Sequence, residues 1–207
     1  MKRIAAIFLV TALTAHAAPI DDLTKAAEYD DGRTISTLLL RGVDPNATDA
    51  RGRTALVTAL AEGSSKALDS LLAYPALDVN AVNGNDETPL MLAALKGQLA
   101  TAKKLVARGA RINKTGWTPL HYAASGPDEG VAAWLLSAGA DINARSPNGS
   151  TPLMMAARYG TLDLPGLLLK AGADSRLRNE QGLTALDFAQ AAGRDSLVKT
   201  LAATTTR

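Results

Sequence analysis

Thr118-Pro119-Leu120-His121 belongs to a short string that occurs five times along the chain, and this repetition decides the fold. The related strings, called boxes below, are Thr54-Ala55-Leu56-Val57, Thr88-Pro89-Leu90-Met91, Thr151-Pro152-Leu153-Met154 and Thr184-Ala185-Leu186-Asp187. Successive box threonines are 34, 30, 33 and 33 residues apart. A period of this length predicts a stack of similar units, each burying its apolar face against its neighbours.

Each box is typical of the start of a helix, because a Thr hydroxyl caps early backbone N–H groups and Pro is tolerated at the first helical position. Gly63, Gly97 and Gly160 lie nine residues after their box threonines. We expect these glycines to end the helices in left-handed backbone. A second helix follows in each unit, for example over residues 99–108. Turn residues such as Pro147-Asn148-Gly149 then predict a hairpin finger.

Irregularities in the spacing have local consequences. The 30-residue step lacks three residues between Asn113 and Gly116, which predicts a blunt finger. Pro165 and Gly166 fall early in a second helix and predict an irregular first turn. Before the first box, residues 23–29 and 34–40 predict another helix pair, so that the chain has about six pairs.

The recurring strings resemble the ankyrin repeat, and the resemblance covers nearly all of residues 18–207. The outer boxes depart from the pattern, with Ala55 and Ala185 at the proline position. The resemblance implies an all-α solenoid with short hairpin fingers, forming one domain over residues 18–207. We expect an N-terminal cap (18–52), four repeats (53–86, 87–116, 117–149 and 150–182) and a C-terminal cap (183–207).

The first 17 residues are typical of a secretory signal. Lys2 and Arg3 precede an uncharged, mostly apolar run that ends at Ala15-His16-Ala17, where we expect cleavage. An uncleaved anchor is the alternative, but a dozen apolar residues fall short of the roughly 20 that span a bilayer. We therefore expect a secreted or periplasmic protein with no membrane insertion after cleavage.

Composition argues against several classes of function. Lys2 and Arg3 are two of the 22 basic residues, so residues 18–207 hold 20 basic and 20 acidic residues. These totals show no excess of basic residues that would favour binding to nucleic acid. Cysteine is absent, which excludes disulfides, Cys-ligated metals and a Cys nucleophile.

The chain after residue 17 carries one histidine, His121, and no nucleotide-binding or nucleophile-elbow motif. The resemblance gives His121 a structural role, hydrogen-bonded near the start of its helix. The acidic pairs Asp21-Asp22 and Asp30-Asp31 are typical of helix starts and solvated turns. We expect no enzymatic activity, no metal and no cofactor.

Ankyrin proteins commonly bind partners through the concave face made by finger tips and first helices. Transferring the family's variable positions to this sequence predicts partner-binding residues in every unit: Arg51, Arg53, Glu62, Asn85, Glu87, Lys96, Trp117, Asn148, Arg158, Tyr159 and Glu180, with Leu95, Gln181 and Leu183 beside them. Trp117 is expected at an exposed finger tip as an interface anchor, or else packed over the shortened finger. Trp134 is expected in the core.

The sequence therefore predicts a non-catalytic module, monomeric, that binds a periplasmic or secreted protein through its concave face. Two alternatives use the same fold. The chain could be an immunity or inhibitor protein that neutralises a toxic or degradative enzyme, or a structural protein that supports the cell envelope. Because fold and function are separable, the sequence does not identify the partner.

Overall fold

The computed structural model describes residues 19–205, so the predicted signal sequence lies outside the described residues. The described residues form twelve α-helices in six consecutive pairs, as predicted. Their bounds are α1 Pro19–Glu28, α2 Gly32–Leu40, α3 Ala55–Glu62, α4 Ser65–Leu72, α5 Pro89–Leu95, α6 Leu99–Ala107, α7 Pro119–Ser125, α8 Glu129–Ser137, α9 Pro152–Tyr159, α10 Leu164–Lys170, α11 Ala185–Ala191 and α12 Asp195–Thr205. Within residues 19–205, no helix combines the length and apolarity needed to cross a membrane.

The helices form two layers. The odd-numbered helices pack against one another at every step from α1 to α11, whereas the even-numbered helices pack closely only from α2 to α4 and less closely from α6 to α8. Because the odd-numbered helices approach each other more closely, the stack curves towards them. They are the inner helices of a concave face, and the even-numbered helices are the outer ones.

The box threonines begin the inner helices, as the sequence predicts. The hydroxyls of Thr54, Thr88, Thr151 and Thr184 accept hydrogen bonds from the backbone N–H three residues later, at 3.2 to 3.4 Å. Leu and Ala residues of both layers are buried between the helices, in a core whose small side chains allow the close inner packing. Local capping and interlayer packing therefore agree on where each unit starts.

The prediction for the helix-ending glycines is correct for two of them and wrong for Gly160. Gly63 and Gly97 have φ of 73° and 69°, in the left-handed region. Gly160 has φ of −72°, which any residue adopts. A Cβ at Gly160 would lie 2.6 Å from the carbonyl oxygen of Ala124. Gly160 therefore serves the close approach of α9 to the end of α7, and its backbone angle is ordinary.

An asparagine ladder links successive fingers. Asn113 donates from Nδ2 to the carbonyl of Gly139 at 2.8 Å and accepts at Oδ1 from the N–H of Asp141 at 2.9 Å. Asn46 and Asn80 make the same pair of bonds to the units that follow them. Each amide satisfies one donor and one acceptor of the next unit, so the ladder fixes the spacing of the fingers.

The fourth full unit departs from the others on the outer face. Its outer helix α10 begins at Leu164, 13 residues after Thr151, whereas α6 begins at Leu99, 11 residues after Thr88. This late start agrees with the irregular first turn predicted from Pro165 and Gly166. Leu162, in the unwound segment, is 83% exposed.

Candidate partner-binding face

Most of the predicted partner-binding residues lie on the surface in two rows. The structure places eight of the eleven in exposed positions: Arg51, Asn85, Asn148 and Glu180 in the fingers, and Glu62, Lys96, Arg158 and Tyr159 at the ends of inner helices. The inner helices themselves lie between the two rows. Leu95 and Leu183, predicted beside them, are 37% and 38% exposed, and Gln181 is also exposed.

Arg53 and Glu87 are half-buried and use their charges inside the array. The guanidinium of Arg53 lies 2.8 Å from the carboxylate of Asp49. Burial opposes ionisation of Asp49, but hydrogen bonds from the backbone and side chain of Arg53 outweigh it and lower the pKa of Asp49. Glu87 accepts hydrogen bonds at both carboxylate oxygens, from Tyr122 at 2.9 Å and from Asn83 at 2.7 Å. These two predicted residues therefore stabilise the fingers through contacts within the array.

The prediction of an exposed finger tip for Trp117 is wrong. Trp117 is half-buried, and its ring meets the ring of His121 edge to face, with centroids 5.2 Å apart and an interplanar angle of 81°. In the finger before the Thr151 box, the backbone N–H of Ser146 donates to the carbonyl of Ser150. Within the described part of the chain, no such bond closes the third finger, at residues 113–117. The missing residues leave that finger blunt, so Trp117 packs down onto α7. Trp134, expected in the core, is partly buried and packs against the core from α8.

Trp117 forms one wall of a depression in the centre of the concave face, which we call the anchor pocket. The pocket has a volume of about 220 Å³. Its lining residues come from three successive inner helices and the blunt finger: Leu95, Trp117, His121, Tyr122, Ser125 and Met155.

Sequence reasoning missed three of these residues, Ser125, Tyr122 and Met155, the last two because it followed the variable finger and helix-end positions. Tyr122 and Met155 stand four positions after a box threonine, and Leu92 and Phe188 occupy the same position in their units. All four side chains are half-buried. The signal that could have found them is an apolar residue at this position in consecutive units, which marks a stripe along the inner helices.

His121 supports the floor of the anchor pocket. The ring is 1% exposed, and its Nδ1 accepts from the backbone N–H of Thr118 at 3.2 Å. The hydroxyl of Thr118 lies 2.9 Å from the same nitrogen. Because Nδ1 accepts, the ring carries its proton on Nε2, which donates to the carbonyl of Ser150 in the next unit at 3.0 Å. Burial lowers the pKa of His121, against the opposing effect of the Ser150 carbonyl, and this favours the neutral ring. The predicted structural role of His121 is confirmed.

The two hydroxyl groups of the pocket, on Tyr122 and Ser125, also have partners. Tyr122 donates to Glu87, and burial together with this hydrogen bond to a carboxylate raises the pKa of the Tyr122 phenol. Ser125 Oγ donates to the carbonyl of His121 at 3.1 Å. Over residues 19–205, no group of three or more His, Asp or Glu side chains has a geometry suited to a metal ion. The surface of the pocket consists mainly of aromatic rings, the thioether of Met155 and the methyl groups of Leu95.

Comparison with solved structures gives a match over nearly the whole chain. One match is the ankyrin-like chain in the complex of the predatory endopeptidase Bd0816 from Bdellovibrio bacteriovorus with the immunity protein Bd3460. The TM-score is 0.75 and the sequences are 31% identical, over 87% of this chain and 96% of the other.

Several characterised proteins match over shorter stretches. The ankyrin repeat and SAM domain-containing protein 6 of Rattus norvegicus is 35% identical over 114 residues, which is 53% of this chain and 13% of that protein. The protein phosphatase 1 regulatory subunit 27 of Mus musculus is 45% identical over 60 residues, or 28% of this chain and 39% of that protein. The chain thus spans well under half the length of these relatives.

A family model for ankyrin repeats matches the chain in three overlapping segments, residues 23–115, 76–146 and 120–206. These segments include all five boxes and the helix pairs that follow them. Proteins of this family are generally non-catalytic and mediate contacts between proteins. The chain therefore belongs to the ankyrin-repeat family.

Proposed function

We propose that the chain is an immunity-type inhibitor that binds an exported peptidase through its concave face and blocks the activity of that peptidase. The observation that carries the proposal is the match to the ankyrin-like chain of the endopeptidase complex, because it covers 96% of that chain at 31% identity. Shared ankyrin repeats alone would favour any protein partner equally. A match that covers 87% of this chain and 96% of the neighbour favours a shared purpose.

The concave face supports the proposal on physical grounds. The array is held by capped helices and the asparagine ladder, so binding requires little ordering of the chain. The face combines an apolar centre with polar rows at its edges, the arrangement typical of a protein interface. Both ring nitrogens of His121 are hydrogen-bonded inside the array, so we propose that inhibition proceeds by obstruction and involves no bond chemistry in this chain.

Export is part of the proposal. Residues 1–17 carry the charge and apolar pattern of a cleaved signal, and an inhibitor of an exported peptidase acts where that enzyme is active. The mass of the protein recovered from the periplasmic or secreted fraction tests this step. We expect a chain that starts at Ala18 and elutes as a monomer, without bound nucleic acid.

The decisive experiment captures a partner and then assays it. The full-length chain, exported and purified, is the bait for the exported fraction of the source organism, and each captured protein is tested for hydrolytic activity with increasing bait. Stoichiometric loss of a peptidase activity is the expected result. A partner that binds and keeps its activity would make the chain a scaffold, and self-association or cell-wall binding without a partner would favour the envelope role.

A charge-reversal pair provides the control. Lys96→Glu with Arg158→Glu changes two exposed side chains on the concave side. Lys103→Glu with Lys170→Glu makes the same change on the outer helices α6 and α10, where both lysines are exposed. We expect the first pair to weaken capture and inhibition and the second to leave both unchanged. Equal behaviour of the two pairs would place the contact away from the concave face.

A further inference from the structure

The anchor pocket has the size of one large side chain. Its volume of about 220 Å³ exceeds the roughly 150 Å³ of a protein cavity that holds benzene. It is also smaller than the roughly 300–1,000 Å³ typical of sites for cofactors and drug-sized molecules. The hydroxyls of Tyr122 and Ser125 are already engaged as donors. A bulky apolar side chain can therefore enter without leaving these donors unpaired.

The charged residues around the pocket differ between its two sides, the side of the helix ends and the side of the fingers. The inner helices α5, α7 and α9 contain no acidic residue. On the helix-end side, Lys96 follows α5 and Arg158 lies in the last turn of α9, and both are exposed. Neighbouring packed helices lie about 8–10 Å apart, so these two cations stand on either side of the pocket over α7.

The two cations are held by neutral groups. Lys96 Nζ donates to the carbonyl of Ala61 at 2.6 Å, and the guanidinium of Arg158 lies 5.3 Å from the centre of the Tyr159 ring. Neither Lys96 nor Arg158 takes part in an ion pair between residues of the described chain. Their positive charges therefore have no ion-pair partner in the described chain, although Glu62, next to Ala61, is an exposed acidic residue at the same helix ends.

The finger side of the pocket is different. Glu87 has both carboxylate oxygens hydrogen-bonded, and Asp86 forms an ion pair with Lys114. Asp86 is therefore neutralised within the array, whereas Glu87 is hydrogen-bonded only to neutral groups and keeps its negative charge at the fingers. Positive charge at the helix ends and negative charge at the fingers together give an approaching charged segment a preferred orientation.

We propose that the anchor pocket receives one bulky apolar residue, aromatic or leucine-like, from an acidic segment of the partner protein, with Asp or Glu residues beside it facing Lys96 and Arg158. This inference rests on the proposed function in requiring a protein partner, and it adds the chemistry by which that partner is recognised. Trp117, Tyr122 and Met155 exclude water around the inserted side chain, as the surroundings of an interface hot spot do.

The test uses a displayed library of random twelve-residue peptides selected on the immobilised full-length chain. We expect enrichment of peptides with one Phe, Trp, Leu or Met flanked within about three positions by Asp or Glu. The best peptide, labelled with fluorescein, is then titrated by anisotropy at low and moderate salt. Its affinity should fall as salt rises, because the flanking contacts are exposed charges.

Three variants separate the pocket from its surroundings. Ser125→Phe fills the pocket from α7 and should weaken the labelled peptide about 30-fold or more, the loss typical of a hot spot. Lys96→Glu with Arg158→Glu should weaken it about tenfold and, on reselection, favour Lys or Arg as the flanking residues. Lys103→Glu with Lys170→Glu should change neither result. Far-UV circular dichroism and a thermal transition like that of the wild type confirm that each variant is folded.

The outcomes distinguish this inference from the proposed function. If selection enriches no apolar residue with acidic neighbours, or if Ser125→Phe binds the selected peptide as well as the wild type does, the inference is overturned. A captured peptidase that Ser125→Phe still inhibits as strongly as the wild type also overturns it and leaves the inhibitor proposal standing. An enriched acidic, apolar motif without any inhibited peptidase would support the pocket and remove the inhibitor proposal.

Discussion

The third unit and the last unit begin their inner helices in the same way but with different side chains. At the fourth box position, His121 accepts the N–H of Thr118 at 3.2 Å, and Asp187 accepts the N–H of Thr184 at 2.6 Å. His121 is 1% exposed, whereas Asp187 is half-buried. His121 also bonds to the carbonyl of Ser150 in the next unit, and the hydrogen bonds of Asp187 stay within its own box.

The difference follows from what lies beyond each box. A central unit has a following unit, and imidazole can accept on one side and donate on the other, so one neutral ring joins two units. Beyond the box of the last unit, solvent reaches Asp187, which is half-buried, and a carboxylate is acceptable there. Met91 and Met154 hold the same position in their units. Their sulfur atoms lie 3.3 and 3.4 Å from the backbone nitrogen of the box threonine. A thioether sulfur is a weaker acceptor than imidazole and cannot donate. The cross-unit bond made by His121 lies directly beneath the anchor pocket.

The largest effect is expected from removing the central ring. His121→Ala leaves a buried cavity and strips the Thr118 N–H and the Ser150 carbonyl of their partner. We expect the free energy of unfolding to fall by about 3 kcal/mol, since the cavity and the unsatisfied polar groups both contribute. Urea denaturation followed by circular dichroism at pH 7.5 measures the change.

His121→Met is the matched control, because the chain already uses Met at this position in Met91 and Met154. It keeps most of the volume and an acceptor for Thr118 but loses the bond to Ser150. A loss of about 1.5 kcal/mol is expected, between the wild type and the alanine variant. If His121→Met leaves the free energy of unfolding unchanged, the bond from His121 to Ser150 does not contribute to stability. His121 and Asp187 would then differ only in how deeply they are buried.

A second effect is a pH dependence that belongs to the central unit. Burial lowers the pKa of His121 below its ordinary value of 6.5, so the unfolded chain binds the proton more tightly than the folded chain does. Stability from this group is therefore fully present above pH 6.5 and is lost as the pH falls below that value. The slope is at most about 1.4 kcal/mol per pH unit for one proton.

Urea midpoints measured from pH 7.5 to 5 test this dependence in the wild type and in His121→Met. The methionine variant should show a flatter profile because it has no proton to take up at this position. Parallel profiles for the two proteins would mean that the ring is accessible to protonation when folded.

The terminal box should respond in a more acidic range and more weakly. Hydrogen bonds from the backbone and the side chain of Thr184 lower the pKa of Asp187 below its ordinary value of 3.8. The stability it contributes is present above pH 3.8 and is lost as the pH falls through the lower, folded value. At pH 7, Asp187→Asn should cost about 0.5–1 kcal/mol, because solvent screens a half-buried charge.

Thermal unfolding at pH 7 and at pH 3 compares Asp187→Asn with the wild type. The two proteins should differ at pH 7, and the difference should shrink as the pH falls below 3.8, where the carboxyl group of the unfolded chain takes up its proton. A difference that stays constant from pH 7 to pH 3 would show that shape, and not charge, sets the contribution of Asp187.

The sequence predicts the regular parts of this molecule because they depend on local chemistry repeated at a fixed period. Thr54, Thr88, Thr151 and Thr184 cap their helices through atoms only three residues away, so the boxes alone locate the inner helices. The blunt third finger is likewise predicted from the number of residues in its unit, which is smaller than in the others. The exposed finger and helix-end positions also follow, because they are the parts of each unit that packing leaves free.

The anchor pocket could not be predicted in this way, since it depends on contacts between units. Trp117 turns onto His121 only because the finger above it is short, and Leu95 and Met155 reach the pocket from the units on either side. Gly160 shows the same limit, because its role is set by the carbonyl of Ala124 in the preceding unit. Such distances are fixed by stacking, which a pattern within one unit does not contain.

The smallest expected effect comes from the fingers that precede the third and the last box. Asn113 is a central member of the ladder and makes two bonds to the next unit, at 2.8 and 2.9 Å. The equivalent position before the last box is Arg176, which is exposed and pairs with Asp174 two residues before it, at 3.1 Å. Asn113→Ala should lower the free energy of unfolding by about 1 kcal/mol, whereas Arg176→Ala should leave it within experimental error.

Urea denaturation of both variants in 0.15 M salt makes the comparison, with amide hydrogen exchange to locate the change. Asn113→Ala should speed amide exchange in its own finger and in the finger of the next unit, since the bond from Asn113 to Gly139 joins the two units. Arg176→Ala should affect only its own finger. An equal loss of stability in the two variants would mean that ladder residues act through the local turn, in which case the spacing between units is set by helix packing alone.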